Sequence, residues 1–593
     1  MVHITQLQKF VDQYKTQLLS SGIPETYWEP LYKKLLYQTF DAGECFQLVK
    51  IEYDEPKQPH EPLWGLQALR DLSNKEENIF LIDHAWTYQI SQARNHLQYS
   101  PLRSRLANIL GLNDELNSEE LIEQIFDNMW RINCTYTVKD VKNGEQNQMW
   151  YVMDEIGCAV QHRDIPNCRI VPFFTSEGAY SLLFLLLNVE DGDLLYRDFA
   201  EGINDPVARK VALSPWVPIS FEDFPTDVHI PSEDYFTSGH IPETLPDLSQ
   251  FNCSDKEEKE KYYVYTQYDL IKQFLSDQKF EITSDEDKAD ILWYTEHFRD
   301  FETLSKNPKK FVNQFPYEYV ITVKDLLCMT CRRFKNNTYR ADWMPVTYNL
   351  VNEIGNFANY FHKNPGKFWI IKPYNLARGM DIHITQNFNY IMRLPCTGPK
   401  IAQEYLTNPV LFYRNDCEGQ VKFDLRYVIL LKKVRPLQAY VFKEFFLRFA
   451  NKPFDLSHFD DYEKHFTVMN YTENAQLKHL KCEDFKKEWS KQYMDYHWDA
   501  VEGKILEMLR EILDCATVAD APCGIAENPQ SRALYAADLM LDWTETKEIQ
   551  PKILEINYMP DCQRACDYYP DFFNDIFKLL FLNVEKNDIF YKL

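Results

Sequence analysis

Lys422-Phe423-Asp424-Leu425-Arg426-Tyr427-Val428-Ile429-Leu430 alternates charged and apolar residues before turning wholly apolar. Strand side chains point to alternate faces, so Lys422, Asp424 and Arg426 share one face and Phe423, Leu425 and Tyr427 the other. Three charges on one face of an apolar strand suit either a solvated face with internal ion pairs or a cleft that receives phosphates and a carboxylate. A second stretch favours the cleft. Ile553-Leu554-Glu555-Ile556-Asn557 is again strand-like, with Glu555 and Asn557 on one face. Upstream, Tyr535–Asp542 precedes the polar turn Thr544–Glu548, which predicts an antiparallel hairpin placing Asp538 beside Glu555 and Asn557. Converging Asp, Glu and Asn oxygens suit Mg²⁺ with nucleotide phosphates.

A third stretch, Phe368-Trp369-Ile370-Ile371-Lys372-Pro373, is a buried strand ending in a lysine, followed by Tyr374-Asn375-Leu376-Ala377-Arg378-Gly379-Met380-Asp381. Strand, lysine, then a loop with Arg-Gly can cradle phosphates through backbone N–H groups.

The 593 residues exceed one hydrophobic core. Their net charge of −25 argues against nucleic acid or an anionic membrane as the main partner. No basic segment followed by an apolar core opens the chain, and the longest apolar run, Leu182–Leu187, is too short to span a bilayer. The 14 cysteines lack a framework spacing and read as reduced thiols. One pair, Cys328 and Cys331, has no second pair at zinc-ribbon distance. A cytoplasmic protein is expected.

Apolar residues at Ile4, Leu7, Val11, Tyr14 and Leu18 predict an amphipathic helix, stopped by Gly22 and Pro24, and a second helix spans about Glu25–Phe40. Met149–Met153, Arg169–Phe174 and Leu194–Tyr196 are strand candidates. Prolines 215, 218, 225, 231, 242 and 246 punctuate an acidic stretch ending in the charge run Asp255–Lys261. Beyond it, strand Tyr262–Tyr265, helix Tyr268–Leu275 and strand Ala289–Tyr294 follow.

In order, these stretches resemble the tubulin-tyrosine ligase family, a branch of the ATP-grasp enzymes. The resemblance runs from about Tyr262 to the end and includes Asn313-Gln314-Phe315-Pro316, Lys324-Asp325-Leu326, Trp343–Thr347, Gln403–Phe412 and His465–Thr467. It implies an α/β (α+β multidomain) chain with an ATP-grasp-type ligase fold over 261–593. Before that would come a helical segment over 1–60, a β-rich SET-like domain over 61–205 and a linker over 206–260. The implied chemistry is phosphorylation by ATP of a carboxylate on tubulin's acidic C-terminal tail, then attack by an amino acid's amine. Carried over by position, Lys372, Arg378 and Gly379 would hold phosphates, and Gln403 and Leu406 would border the adenine. Asp538, Glu555 and Asn557 would bind Mg²⁺. Lys422, Asp424 and Arg426 form the implied catalytic set, and Arg426, Arg448 and Thr467 the tail contacts.

Departures from the family pattern accompany this. Asp381 stands where active members resemble a second loop glycine, Glu404 replaces a usually basic residue, and Val468 falls in the His-Leu-Thr-Asn string, with Asn470 displaced by two positions. An aspartate ~4 Å from a phosphate charge would repel it by roughly 4 kcal/mol at an effective dielectric of 20, on the order of a thousandfold in affinity or rate. In the first half, His162–Cys168 resembles the Asn-His-Ser-Cys-x-Pro-Asn segment of SET lysine methyltransferases, and Gly192–Phe199 their closing Gly-Glu-Glu-Leu-x-x-Asp-Tyr. Arg163 occupies the serine position and Phe199 the closing tyrosine, so a non-catalytic scaffold for protein contact is expected there. Three functions are weighed: a pseudo-ligase that binds tubulin and regulates tail modification, with residence at microtubules or centrosomes; an active amino-acid ligase; or a lysine methyltransferase.

Overall fold

The strand Phe423–Lys433 forms the centre of an antiparallel sheet. Strand Ala533–Trp543 lies on one side of it, followed by Ile549–Tyr558; Gln438–Phe442 and Phe590–Lys592 extend the other side, and Phe446–Phe449 pairs with its beginning. Its odd-numbered residues, from Phe423 to Leu431, enter a core beneath helices Cys482–Gln492 and Trp498–Val518. On the opposite face Val428 and Leu430 enter a second core under helix Phe572–Leu582. The charged alternation therefore occupies the one end of that face which the helix leaves to polar groups.

This computed structural model describes residues 2–593 except 56, 59, 113–115, 140–145, 223, 225–230, 252–258, 335–340, 375–380 and 469–478. The chain divides into two compact units, residues 1–225, 354–365 and 385–399 in one, and 226–353, 366–384 and 400–593 in the other. The second unit also holds a parallel sheet in the order Phe280–Thr283, Tyr262–Thr266, Ile291–Trp293, Phe311–Val312. A further sheet runs Thr347–Asn349, Lys400–Glu404, Trp369–Pro373, His383–Thr385.

In the first unit, helices Val2–Ser20 and Trp28–Tyr37 pack through Phe10, Leu18, Trp28 and Leu31 onto strands Ile79–Ile82, Ala179–Leu185 and Cys168–Phe174. The helices end at Tyr37, and residues 46–50 already form a strand paired with Trp64–Ala68. The apolar run from Leu182 belongs to a strand buried on both faces, since Leu182 and Phe184 enter one core and Leu183 and Leu185 another. The strand expected at Leu194–Tyr196 is reduced to Tyr196–Arg197. The Asn167 side chain explains this, because its amide donates to the Leu194 carbonyl at 2.9 Å and accepts from the Tyr196 N–H at 2.7 Å. Residues 206–260 carry helices Pro206–Ala212 and Glu233–Thr237, while most of the Asp255–Lys261 run lies outside the described residues. Among the described residues no helix is long and apolar enough to cross a membrane.

Helix Glu155–Ala159 sits tightly against Ile82 of one sheet and Met153 of another. A Cβ on Gly157 would come 2.7 Å from Ile82 Cγ2 and 2.7 Å from Met153 Cβ. Gly157→Ala gains up to about 1 kcal/mol of helix propensity but overpacks this contact by about 1–3 kcal/mol. The expected outcome is a net loss of stability, read as a lower urea midpoint with unchanged slope.

Candidate functional site

Sheet register assembles the charged cluster. Arg426 lies directly opposite Asp538, Asp538 opposite Glu555, and Asp424 opposite Arg448. The predicted hairpin is present, with a bulge after Asp538 where the register shifts from Glu555 to Ile553. Arg426 grips Asp538 bidentately, Nε to Oδ1 at 2.7 Å and Nη2 to Oδ2 at 2.8 Å. Arg448 spans both acids, with Nε to Asp424 Oδ1 at 2.7 Å and Nη2 to Asp538 Oδ2 at 2.9 Å. Thr467 donates its hydroxyl to Asp424. Burial alone would raise the Asp538 carboxyl, but the two guanidiniums outweigh it and hold it at about 2. Burial and the neighbouring Asp538 charge push Asp424 upward despite Arg448.

Glu555 and Asn557 adjoin this group. The Asn557 amide donates to Glu555 Oε1 at 3.0 Å and to Asp538 Oδ2 at 3.4 Å, and Lys324 Nζ is 3.2 Å from Glu555 Oε2. Among the described residues no group of three His, Cys, Asp or Glu side chains is placed to hold a metal. Two carboxylates and an amide in mutual contact nevertheless form a hard-oxygen donor set that fits Mg²⁺, provided the amide turns its oxygen inward.

Two buried lysines complete the site. Lys372, at the end of its strand, donates to Gln403 Oε1 at 2.9 Å, and Gln403 donates in turn to Thr347 Oγ1 at 3.0 Å. Lys422, immediately before the long strand, donates to the Tyr405 hydroxyl at 2.9 Å; that hydroxyl is 3.0 Å from His465 Nδ1. Lys372 is 8% and Lys422 2% exposed, and neither has a carboxylate ion-pair partner among the described residues. Burial lowers Lys372 to about 8. Burial and the Lys372 charge lower Lys422 to about 7. Leu406, half-buried, follows Tyr405. Arg378, Gly379 and Asn470 lie outside the described residues.

The tubulin-tyrosine ligase family profile matches residues 302–589, and that family's SET-like domain matches 65–220. Human "Tubulin--tyrosine ligase-like protein 12" is 38% identical over 97% of this chain and 94% of its own length. The Caenorhabditis elegans protein of that name is 36% identical over 97% of each chain. This chain belongs to the tubulin-tyrosine ligase family. A more distant family relative, mouse "Probable tubulin polyglutamylase TTLL2", is 26% identical over 51% of this chain and 57% of its own.

Against the family pattern, Asp381 adopts φ +53°, the left-handed backbone that glycine enters most easily. Its carboxylate is turned onto Lys400 Nζ at 2.6 Å and His383 Nε2 at 2.8 Å. Burial opposes ionisation, but His383 and Lys400 prevail and hold the acid below its ordinary range. The repulsion estimated from sequence presumed an unpaired charge facing phosphate; this carboxylate instead compensates a lysine that is 1% exposed. Glu404 is likewise paired, with Lys367 at 2.8 Å.

In the family's SET-like domain, the two short segments do meet. Gln161 and His162 pair in parallel with Tyr196 and Arg197. Arg209 binds Asp198 and Asp164, each at 2.8 Å, and Arg163 stacks on Tyr196 at 3.8 Å. The Phe199 ring packs 4.5 Å from Trp216 and supplies no hydroxyl.

Sequence reading gave no role to Lys324, Tyr405, His465 or the Lys400–His383 pair around Asp381. The signal for the first three was their place in stretches that carry the family resemblance, where Tyr405 directly follows a strand and Lys324 opens the helix Lys324–Phe334. Arg448→Met would leave Asp538 with one guanidinium and Asp424 with none, a loss of about 3–5 kcal/mol in chemical denaturation at pH 7. Adding Asp424→Asn should recover part of it, because the stranded charge disappears.

Proposed function

We propose that the protein binds tubulin and a magnesium nucleotide through this site, and regulates modification of tubulin's C-terminal tail without itself being an efficient ligase. The observation that carries nucleotide binding is the pair of buried lysines, neither of which makes an ion pair with a carboxylate among the described residues. A buried cation is costly unless an anion compensates it, and a polyphosphate would compensate both. Asp538, Glu555 and Asn557 would hold Mg²⁺, which when bound would screen phosphate charge. Gln403 orients Lys372, and Tyr405 with His465 orients Lys422. Arg426 and Arg448 offer planar donors to a carboxylate or phosphate.

Impaired chemistry is supported by the same geometry. Both oxygens of Asp538 are engaged by arginines, so metal binding must compete with three charge-assisted contacts from two guanidiniums. Asp381 keeps a side chain in a left-handed loop position where glycine would let the backbone approach a ligand. A tubulin partner follows from family membership, and cytoplasmic residence at microtubules or centrosomes belongs to the same reading. An active ligase is the second reading, favoured by the retained Asp538, Glu555 and Asn557. Methyl transfer is disfavoured by Phe199 and by the ion pairs of Arg209.

Protonated lysines bind phosphate, so nucleotide binding takes up protons and weakens as pH rises through about 7 for Lys422 and about 8 for Lys372. Calorimetric titration with ATP should show affinity falling at least tenfold from pH 7 to pH 9, and Lys372→Met should flatten that dependence. Absence of any thermal shift with ATP, with or without Mg²⁺, removes nucleotide from the proposal. Incubation with tubulin, Mg-ATP and labelled tyrosine, glutamate or glycine should give no incorporation above background. Incorporation that vanishes in Glu555→Gln would establish the active ligase instead.

A further inference from the structure

The charged face of the sheet continues past Arg448. Strand Phe446–Phe449 pairs only with the long strand among the described residues, so its outer edge has no sheet partner. Helix Gln563–Tyr568 covers that edge from the same face, because Cys562, Ala565 and Cys566 enter the core that holds Phe446 and Val428. From this helix Arg564 donates Nη1 to the Leu447 carbonyl at 2.7 Å.

That bond uses little of a guanidinium, which carries several N–H donors. Arg564 is half-buried, and among the described residues it makes no ion pair and no second hydrogen bond. The acids nearest in sequence are engaged by Gln563 instead: Asp561 accepts from its N–H at 3.0 Å and Asp567 from its side-chain amide at 2.7 Å. Arg426, Arg448 and Arg564 therefore stand against two aspartates, Asp424 and Asp538, which the first two arginines already satisfy. Burial, and the Arg448 and Arg426 charges, hold Arg564 below the usual arginine range. Exposed Lys481 lies 5.7 Å over the ring of Tyr568, a further cation on this side.

Position decides which anion such a group can take. Across the sheet the order is Glu555, Asp538, Arg426, then the strand of Arg448, with Arg564 at its edge. Strands lie about 4.8 Å apart, so that edge strand is about 14 Å from the strand of Glu555 and Asn557. Phosphates held beside the metal donors are at the other side of the sheet. An extended peptide, by contrast, presents every second side chain on one side at intervals of about 7 Å, between one and two strand spacings.

We infer that Arg564 forms a second carboxylate subsite, beside the one at Arg426 and Arg448, for an acidic peptide that crosses the sheet edge in extended form. The recognised unit is a pair of acidic side chains on the same side of that peptide. This rests on the reading above that an acidic protein tail enters the site, and adds the residue that holds its second charge.

Fluorescence anisotropy with the full chain and a labelled oligoglutamate peptide tests it. Arg564→Gln keeps a donor for the Leu447 carbonyl and removes the charge, and should bind the peptide about tenfold more weakly. Replacing the peptide's glutamates one at a time by glutamine should reveal one that matters to the unaltered protein and has no effect in Arg564→Gln. Equal affinity of the two proteins, or a scan in which each glutamate costs the same in both, overturns the proposal. Should Arg564→Gln lose its cooperative melt, Arg564→Lys takes its place in the same cycle, and its non-planar head should weaken the effect of that one glutamate alone. If the unaltered protein binds no oligoglutamate, the acidic-tail reading falls together with the subsite; if both proteins bind it equally, the subsite alone falls.

Discussion

Two aspartates and two arginines on one sheet face form the interaction on which the site depends. Asp538 sits between Arg426 and Arg448, and Arg448 reaches back to Asp424. In a buried setting an unpaired charge costs several kcal/mol, so none of the four can change without disturbing the others. Register makes the arrangement possible, since cross-strand pairing puts Arg426 opposite Asp538 and Asp424 opposite Arg448. The opposite face packs on two helices and fixes which way these side chains point.

Beside this self-compensated group lie two lysines that make no ion pair with a carboxylate among the described residues. Lys372 and Lys422 are held by neutral partners, Gln403 and Tyr405, and burial lowers both toward neutrality. The contrast with Lys400 is informative, because that lysine has Asp381 at 2.6 Å. The loop aspartate thus looks like an obstacle in sequence and acts as a counter-ion in the fold. What it retains of an obstacle is steric, a side chain at positive φ.

In the SET-like domain the fold is kept while several polar residues are taken up by one another. Its two short segments still pair, yet Arg163, Arg209, Asp164 and Asp198 engage one another or an aromatic ring. Stretches from the ligase half complete this unit, so the boundary drawn along the sequence and the boundary drawn by packing differ.

Periodicity alone determined much of this protein. The alternation at Lys422–Arg426 and the hairpin of Asp538 with Glu555 and Asn557 were legible because strand side chains alternate strictly and a polar turn sets register locally. The amphipathic first helix was legible for the same local reason. Folding alone decided the partners: Arg448 with both acids, Tyr405 between Lys422 and His465, Lys324 on Glu555, and the place of residues 354–365 and 385–399 in the first unit. These contacts join residues far apart in the chain, and no local pattern encodes which distant side chain will neutralise a buried charge. The residue types at the site are written in the sequence; whether each charge is answered or left for a ligand is set by tertiary packing.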